Sequence, residues 1–374
     1  MTGGAALAGV LYVDDAVPRT ALGAGHPRGL AVLRELARVA GRVAVVATQA
    51  ALGAWLHADA LPDNVDVAGG GPDEALLRAL TAVPGAFDRL WVGRPNNLAW
   101  VERLARIAPR AFERVRIVYD AEAVFALRDV RRRALEGAPM SEVRERRALR
   151  DEFHAAHVAA AVAAVSEAEQ RVIAAHVACP VHVLGVPADP IGPATAPGGR
   201  TGALFVGNLA TADSPNGDGV RWMLGEAWPA LDAAAVRLVV IGSGSEAGGW
   251  LAPLARGPID LAGPVADLAP HYAAARCFVA PLRYGAGIPL KVIEAAQHGV
   301  PVVATPLVAQ LLGWRDGAEL LVASDGAGFA AAVRRLTEDD ALWLRLAQGA
   351  RAALRRDYAP ARFRDTVRTL VGAG

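Results

Sequence analysis

The chain has 374 residues, a formal net charge of +1 and a hydrophobic content of 53%. This length exceeds what one hydrophobic core usually supports, so we expect two domains. The balanced charge gives no general attraction to nucleic acid or to an anionic membrane, because neither sign predominates. Two distant cysteines, Cys179 and Cys277, are typical of a reducing cytosol and disfavour a disulfide or zinc framework.

The apolar stretches do not predict a membrane span. The alanine-rich run at 155–165 contains His157 and is shorter than the ~20 residues that a transmembrane helix needs. The first apolar stretch has no basic segment before it and reaches Asp14 early, which favours a buried strand over a signal peptide. The segment 128–153 mixes arginines and acids at helical spacing, as solvated helices do. We expect a cytoplasmic protein, and the sequence leaves peripheral contact with the inner membrane face open without indicating it.

In chain order, the first half alternates short apolar runs with helix-forming stretches. The apolar runs are GVLYVDD (9–15), RVAVVAT (42–48), DRLWVG (88–93), RVRIVYD (114–120) and AAVAAVSEAE (160–169). Continuous apolar strands that alternate with helices are typical of a parallel sheet covered on both faces.

A segment rich in Pro, Gly and Ala, residues 182–202, interrupts this alternation and predicts a linker. Six further strands follow it: ALFVGN (203–208), VRLVVIGSG (236–244), PIDLAG (258–263), CFVAPL (277–282), VPVVAT (300–305) and AELLVAS (318–324). We therefore predict an N-terminal domain over 1–188 and a C-terminal domain over 189–358. A final helix within 359–374 is expected to return toward the first domain.

The stretch RYGAGIPLKVIEAAQHGVPVVAT (283–305) predicts an anion site at a helix entrance. Gly285 and Gly287 let backbone amides approach a phosphate, and the helix N-terminus carries a partial positive charge. Arg283 and Lys291 add charge, while Glu294 could accept hydrogen bonds from a ribose diol. The stretch is neither a Walker loop nor a dinucleotide fingerprint, because the defining lysine and third glycine are missing. The alternative is a plain strand–turn–helix with a surface ion pair.

Other candidates also follow predicted strands, where doubly wound domains bind ligands. In the first half, Gly25 and Arg28 follow the first strand, and Arg94 follows DRLWVG. Asp120 and Glu122 follow RVRIVYD. Asp120 is interpreted either as a helix N-cap or as a binding residue. Arg28 is either an anion clamp or an ordinary surface arginine.

Several segments together resemble retaining glycosyltransferases of the GT-B fold, glycosyltransferase family four (group 1). They are ALFVGNLATADSPNGDGVRWML, LVVIGSG, IDLAGPVADLAPHYAAARCFVAPL and PLRYGAGIPLKVIEAAQHGVPVVAT, with AAVSEAEQRVIAA at the end of the first half. The resemblance covers nearly the whole second half and is patchier in the first. It implies an α/β fold of two facing, doubly wound (Rossmann-like) parallel-sheet domains with an inter-domain cleft. It also implies retaining transfer of a sugar from a nucleoside-diphosphate donor to an unknown acceptor hydroxyl, in glycan or glycoconjugate assembly.

The resemblance also assigns roles to residues. Glu294 matches the family's ribose-binding glutamate, but Ala286 stands where a second glutamate is usual, and Asn208 stands where a basic residue is common. Arg283 and Lys291 are therefore expected to replace the missing charge.

The predicted catalytic residues are Arg283, Lys291 and Asp120. The predicted donor contacts are Gly207, Asn208, Gly242, Gly244, Gly263, Val265, Gly285, Ala286, Gly287, Ile288 and Glu294. The acceptor or phosphate side is expected to use Gly25, Arg28, Arg94 and Glu122. We expect no metal ion or other cofactor.

The sequence leaves two alternatives to transfer open. Ala286 and Asn208 favour a glycosyltransferase-like binding or scaffold subunit that has lost activity. A nucleotide-sugar epimerase on the same fold would need acid and base residues near the sugar, and the missing glutamate disfavours it.

Overall fold

The computed structural model describes residues 7–18, 25–49, 61–192, 196–232, 236–246 and 248–373. The chain divides into two compact units. The first comprises Met1–Leu127, Met140–Pro187 and Pro360–Gly374, and the second comprises Arg128–Pro139 and Ala188–Ala359. Among the described helices, none is long and apolar enough to cross a membrane.

Each unit is built on one wholly parallel sheet. The seven-stranded sheet of the first unit has the order β3-β2-β1-β4-β5-β6-β7. Its strands are β1 (Leu7–Asp14), β2 (Ala40–Ala47), β3 (Val65–Val67), β4 (Arg89–Gly93), β5 (Arg116–Asp120), β6 (Ala161–Ala164) and β7 (Val181–Val183). The six-stranded sheet of the second unit has the order β10-β9-β8-β11-β12-β13. Its strands are β8 (Thr201–Val206), β9 (Leu238–Ile241), β10 (Ile259–Gly263), β11 (Ala275–Ala280), β12 (Val302–Ala304) and β13 (Leu321–Val322).

Helices follow most of the strands. They are α1 (His26–Val39), α2 (Pro72–Thr81), α3 (Pro95–Ile107), α4 (Pro109–Phe112), α5 (Phe125–Leu135), α6 (Glu142–Glu152), α7 (Glu167–Ala174), α8 (Pro215–Trp222), α9 (Trp228–Asp232), α10 (Ala269–Ala274), α11 (Leu290–Gln297), α12 (Pro306–Leu312), α13 (Gly326–Glu338), α14 (Asp340–Asp357) and α15 (Pro360–Val371). A π-helical turn, Met223–Ala227, joins α8 to α9, and 3₁₀ turns occur at His154–Val158 and Ala252–Leu254.

Both faces of the first sheet are buried, which explains its continuous apolar strands. Successive side chains of β1 enter two different clusters: Leu11 and Val13 pack on one face, and Val10 and Tyr12 pack on the other. The last helix, α15, belongs to the first unit and contributes Val367 to the second of these clusters.

The second sheet has a large core on one face. Val240 of β9 and Val279 of β11 pack in one cluster with Trp228, Phe329 and Trp343 from the surrounding helices. Each of these five side chains is almost completely buried. Such burial of aromatic side chains is a major source of stability in a domain of this size.

The prediction of two parallel-sheet α/β domains is confirmed, and all eleven predicted strands are present with small shifts at their ends. The outermost strands of the first sheet, β3 and β7, were not predicted. Each has only three residues, which is too short for a strand pattern to be recognised. β7 also overlaps the start of the segment 182–202 that we interpreted as a linker.

Candidate active site

The predicted donor residues of the second unit all follow the carboxyl ends of four neighbouring strands. β10, β9, β8 and β11 are adjacent in the sheet, and β8 and β11 form the point where the strand order reverses. Open parallel sheets bind ligands at this kind of position. The residues concerned are Gly207, Asn208, Gly242, Gly244, Gly263, Val265, Arg283, Gly285, Ala286, Gly287, Ile288, Lys291 and Glu294.

The loops after β8 and β9 pack against each other so closely that only glycine fits. Gly242 has φ +138°, and a Cβ there would lie 1.8 Å from the carbonyl oxygen of Gly207. Gly244 has φ +88°, and its Cβ would meet the carbonyl oxygen of Leu209 at 2.2 Å. Asn208 closes its own turn by accepting a hydrogen bond from the amide of Ala210 at 2.9 Å. These glycines therefore have a packing role that is independent of any ligand.

The turn between β11 and α11 is open on one side. Among the described residues, a Cβ built on Gly285 would have no heavy atom within 4 Å, and Gly287 has φ +75°, which favours glycine. α11 begins at Leu290, and none of the described side chains caps its N-terminus. The turn thus combines glycine backbone, free space beside Gly285 within the described part of the chain and the positive end of a helix dipole, which together suit an anionic ligand.

Both predicted cations of this turn are held in ion pairs. The Arg283 guanidinium binds the Asp218 carboxylate through Nε–Oδ2 at 2.9 Å and Nη2–Oδ1 at 2.5 Å, and it lies over the Trp222 ring. Lys291 Nζ donates to Glu294 Oε2 at 2.6 Å. Asp218, which lies in the first turn of α8, was not among the predicted residues. Each pair is formally neutral, so an incoming anion would have to share or displace a carboxylate.

A second layer of side chains supports Glu294. Tyr272 is completely buried, and burial together with the Glu294 carboxylate raises the pKa of its hydroxyl. The ring of Tyr272 stacks on His298 with their centroids 4.7 Å apart, and burial lowers the pKa of His298. No pattern in the sequence indicates this contact, because it joins α10 to the end of α11 across the intervening strand β11.

In the first unit, the candidates follow β1, β4 and β5, which are also neighbours in their sheet. Arg94 lies at the centre. Its Nε is 3.2 Å from Asp14 Oδ1 and 3.3 Å from Glu122 Oε2, and its Nη1 is 3.0 Å from Asp15 Oδ2. Asn96 and Asn97 also donate to Asp15, at 2.8 and 3.0 Å. Asp14 and Asp15 were not predicted as site residues, although both close the first strand as a visible acidic pair.

Backbone strain occurs at two members of this group. Arg94 has φ +72° and Glu122 has φ +54°, and they are the two non-glycine residues with positive φ among those described. Such conformations cost about 1–3 kcal/mol and persist where the surrounding contacts require them. The glycines nearby leave room for the Glu122 side chain: a Cβ on Gly25 or Gly93 would lie 3.1 or 3.3 Å from its oxygens.

Two carboxyl groups here have strongly raised pKa values. Burial, followed by repulsion from Asp14 and Asp120, raises the pKa of Glu122 to about 8. Burial also raises the pKa of Asp14 to about 6, against the opposing effect of Arg94. Glu122 is therefore largely protonated near neutral pH and can donate a hydrogen bond.

Arg28 is buried and not a surface arginine. Its Nη1 donates to Asp120 Oδ2 at 2.8 Å, and its Nε and Nη2 donate to the carbonyl oxygens of Gly185 and Leu184. Trp91 Nε1 also donates to Asp120 Oδ2, at 3.2 Å. These contacts tie the end of β5 to the chain that follows β7.

The N-cap interpretation of Asp120 is wrong. Asp120 is the last residue of β5, and α5 begins five residues later, at Phe125. The carboxylate of Glu152, at the end of α6, accepts instead from the first two amides of α5, those of Phe125 and Ala126, at 2.9 and 2.6 Å. An N-cap residue lies directly before its helix, and the loop after β5 separates Asp120 from Phe125. The N-terminus of α5 is therefore capped by Glu152 of α6.

The fold and a family comparison together define the class of this protein. Residues 200–339 match the model of a family described as glycosyl transferases group 1. This region contains the sheet and the glycine turns of the second unit. Together with the two parallel-sheet units of the GT-B type, this match supports a glycosyltransferase.

Solved structures support the fold over almost the whole chain. The structure of Anabaena HepE (Alr3699) in complex with UDP and glucose has a TM-score of 0.69, 16% identity, and coverage of 98% of this chain and 100% of that chain. Sucrose-phosphate synthase from Thermosynechococcus elongatus has the same TM-score and coverage at 15% identity. A glycosyltransferase from Rickettsia africae has a TM-score of 0.62 and 11% identity, with coverage of 98% and 99%. No curated protein sequence matches the chain significantly.

Proposed function

We propose that the protein transfers a sugar, with retention of configuration, from a nucleoside diphosphate to an acceptor hydroxyl in glycan or glycoconjugate assembly. The observation that carries this proposal is the open turn at Gly285–Gly287 leading into α11, with Lys291 and Glu294 on that helix. It lies within the residues that match group 1 glycosyltransferases. The UDP complexes of HepE support a nucleoside-diphosphate sugar as the donor. We place the reaction in the cytoplasm, consistent with two unpaired cysteines.

On donor binding, the Lys291–Glu294 pair would open. The ribose hydroxyls would donate to the Glu294 carboxylate, which would release the ammonium group of Lys291 toward the diphosphate. The glycine turn and the N-terminus of α11 would add backbone amides. The leaving diphosphate, stabilised in this way, could itself take the proton of the acceptor hydroxyl, so the proposal needs no protein nucleophile.

We assign acceptor binding to the polar group at the sheet edge of the first unit. Its four carboxyl groups, Asp14, Asp15, Asp120 and Glu122, outnumber its two arginines, Arg28 and Arg94. Carboxylates accept hydrogen bonds from sugar hydroxyls, and the protonated Glu122 can donate one. Asp120 is held by Arg28 and Trp91, so we assign it to positioning rather than to the chemical step.

A donor-panel screen tests the proposal. The protein is incubated with UDP-, GDP- and other nucleotide sugars and with neutral sugar acceptors, and released nucleotide is measured. The anomeric configuration of any product, read by NMR, tests retention. Isomerised donor without acceptor would instead indicate an epimerase.

The same screen tests whether a metal ion takes part. Within the described part of the chain, no group of three or more His, Cys, Asp or Glu is disposed to hold a metal ion. We propose that the ammonium group of Lys291 and the amides at the start of α11 neutralise the diphosphate in place of a cation. Equal rates with and without EDTA are therefore expected, and loss of activity on chelation would contradict this part of the proposal.

The rival function is a binding subunit without transfer. Ala286 in place of a glutamate, and the pairing of Arg283 with Asp218, favour it. Calorimetry with UDP and GDP, together with the screen, separates the two. Binding without turnover would support the subunit, and absence of both binding and turnover would exclude the enzyme.

Removing either member of the Lys291–Glu294 pair should weaken nucleotide binding. We expect Lys291→Ala and Glu294→Ala each to raise the calorimetric Kd for the preferred nucleotide roughly tenfold or more, because each removes a charge-assisted hydrogen bond. Stability should change by only about 0.5 kcal/mol, since the side chains of Lys291 and Glu294 are 38% and 29% exposed. Arg237→Ala is the matched control, because this residue forms an exposed ion pair at the opposite end of the same sheet. Unchanged affinity in both variants would show that α11 does not bind the donor.

Filling the space beside Gly285 should weaken binding without loss of fold. The φ of Gly285 is not positive, and a Cβ there meets no atom of the described residues within 4 Å, so we expect Gly285→Ala to keep the thermal midpoint within about 2 °C. A methyl group in the donor space should raise the nucleotide Kd several-fold. Gly225→Ala, whose Cβ also meets nothing, is the control. Wild-type affinity in Gly285→Ala would place the donor elsewhere.

A further inference from the structure

An arginine of α5 contacts the glycine turn. Arg131 Nη1 donates to the carbonyl oxygen of Gly285 at 2.6 Å. Both residues belong to the second unit, because the chain from Arg128 to Pro139 groups with it. The sequence predicts a solvated helix face for the arginines of this segment, so this contact was not expected.

Two further arginines of α5 lie close to the same turn. Burial and the Asp218 carboxylate raise the pKa of the Tyr284 hydroxyl, and the guanidinium groups of Arg132 and Arg128 oppose that rise. Tyr284 precedes Gly285, and its hydroxyl donates to the carbonyl oxygen of Asp213. α5 therefore brings positive charge to a turn whose own cations, Arg283 and Lys291, are paired with carboxylates.

The Arg131 contact fixes one particular peptide group. The carbonyl of Gly285 and the amide of Ala286 belong to the same planar peptide, and in a trans peptide the two point in opposite directions. A charge-assisted hydrogen bond to the carbonyl thus sets the direction of the Ala286 N–H. Glycine at 285 and 287 leaves the turn conformationally free, so the orientation of this amide depends on contacts such as that with Arg131.

We infer that Arg131 is a positioning residue for the sugar donor. Its hydrogen bond orients the Gly285–Ala286 peptide so that the N–H of that peptide faces the nucleoside-diphosphate sugar. The inference rests on the proposed function, because it takes the turn to be the donor site. At Ala286 the side chain supplies no polar group, so the backbone N–H is the hydrogen-bond donor that remains at this position. A residue outside the matched region 200–339 then completes the donor site.

The test uses three variants of the full chain. Arg131→Met removes the guanidinium group, which donates the hydrogen bond, and keeps the apolar stem. Arg131→Lys keeps a positive charge and an N–H that can donate a hydrogen bond. Arg133→Met is the control, since Arg133 is exposed on the same helix. Calorimetric Kd values for UDP and GDP are measured first, and then KM values for donor and acceptor. We expect Arg131→Met to raise the nucleotide Kd and the donor KM about 10- to 100-fold. The acceptor KM should not change, Arg131→Lys should recover part of the loss, and Arg133→Met should behave as wild type.

Each outcome bears on the inference. Wild-type donor affinity in Arg131→Met would overturn it, and so would an equal rise of the donor and acceptor KM values. If Arg131→Met does not fold, Arg131→Lys decides: a several-fold rise in donor KM at unchanged acceptor KM supports the inference, and wild-type constants overturn it. Failure of the proposed function is distinguishable, because the wild-type protein would then neither bind a nucleotide nor release one.

Discussion

Replacing Arg28 with methionine is expected to destabilise the first unit by about 3–5 kcal/mol. The guanidinium of Arg28 and the carboxylate of Asp120 each have only 4% of their side-chain surface exposed. Without Arg28, the Asp120 carboxylate would depend on the indole of Trp91 for a side-chain hydrogen bond. The carbonyl oxygens of Leu184 and Gly185 would also lose a charged donor, and leaving such buried acceptors unsatisfied is costly.

Hydrogen exchange followed by mass spectrometry measures this effect within the first unit, through the slowest amides of β1, β4 and β5. Arg42→Met is the matched control, because Arg42 forms an ion pair with Asp66 in which both side chains are more than half exposed. Such pairs contribute ~0–1 kcal/mol, so exchange should stay close to wild type. If Arg28→Met changed exchange no more than Arg42→Met does, the buried pair would not stabilise this unit.

The fold could be predicted from the sequence because its signals are local. Each long strand is a continuous apolar run, and the glycine turn after β11 is followed at once by a helix pattern. The carboxyl ends of parallel strands meet at one sheet edge, so residues that follow different strands could be grouped from the strand pattern alone. This reasoning correctly placed Asn208, Gly242, Gly263 and Gly285 at one edge of the second sheet.

The pairing of side chains could not be predicted in the same way. Arg283 binds Asp218, 65 residues earlier, and Arg131 binds Gly285, 154 residues later. Whether two such residues meet depends on helix direction and side-chain reach, which leave no pattern in the sequence. The burial of Arg28 was hidden for the same reason, because its partners come from separate segments of the chain.

Glu122 should make the stability of the first unit fall as the pH rises. Its pKa is about 8 in the folded protein against 4.5 for an unperturbed glutamate, so the folded state binds the proton more tightly than the unfolded state does. Below pH 4.5 the Glu122 carboxyl is protonated in both the folded and the unfolded state, so it does not lower the free energy of unfolding. Between pH 4.5 and about 8 the unfolded state gains free energy by ionising while the folded state stays protonated, so stability falls progressively. Above pH 8 the full cost of a buried charge is present. Asp14, with a pKa of about 6 against 3.8 for an unperturbed aspartate, adds a smaller fall at lower pH.

The variant Glu122→Gln isolates this effect, because an amide has the same shape and cannot ionise. We expect it to be more stable than wild type by about 2–4 kcal/mol at pH 9 and nearly equal to it at pH 5. Hydrogen exchange at pH 5, 7 and 9, corrected for intrinsic rates, gives the stability of the first unit at each pH. Glu142→Gln is the control, since that side chain on α6 is 87% exposed. Equal stability of Glu122→Gln and wild type at pH 9 would mean that Glu122 ionises at an ordinary pH. The acceptor side would then hold a carboxylate rather than the hydrogen-bond donor that we assign to it.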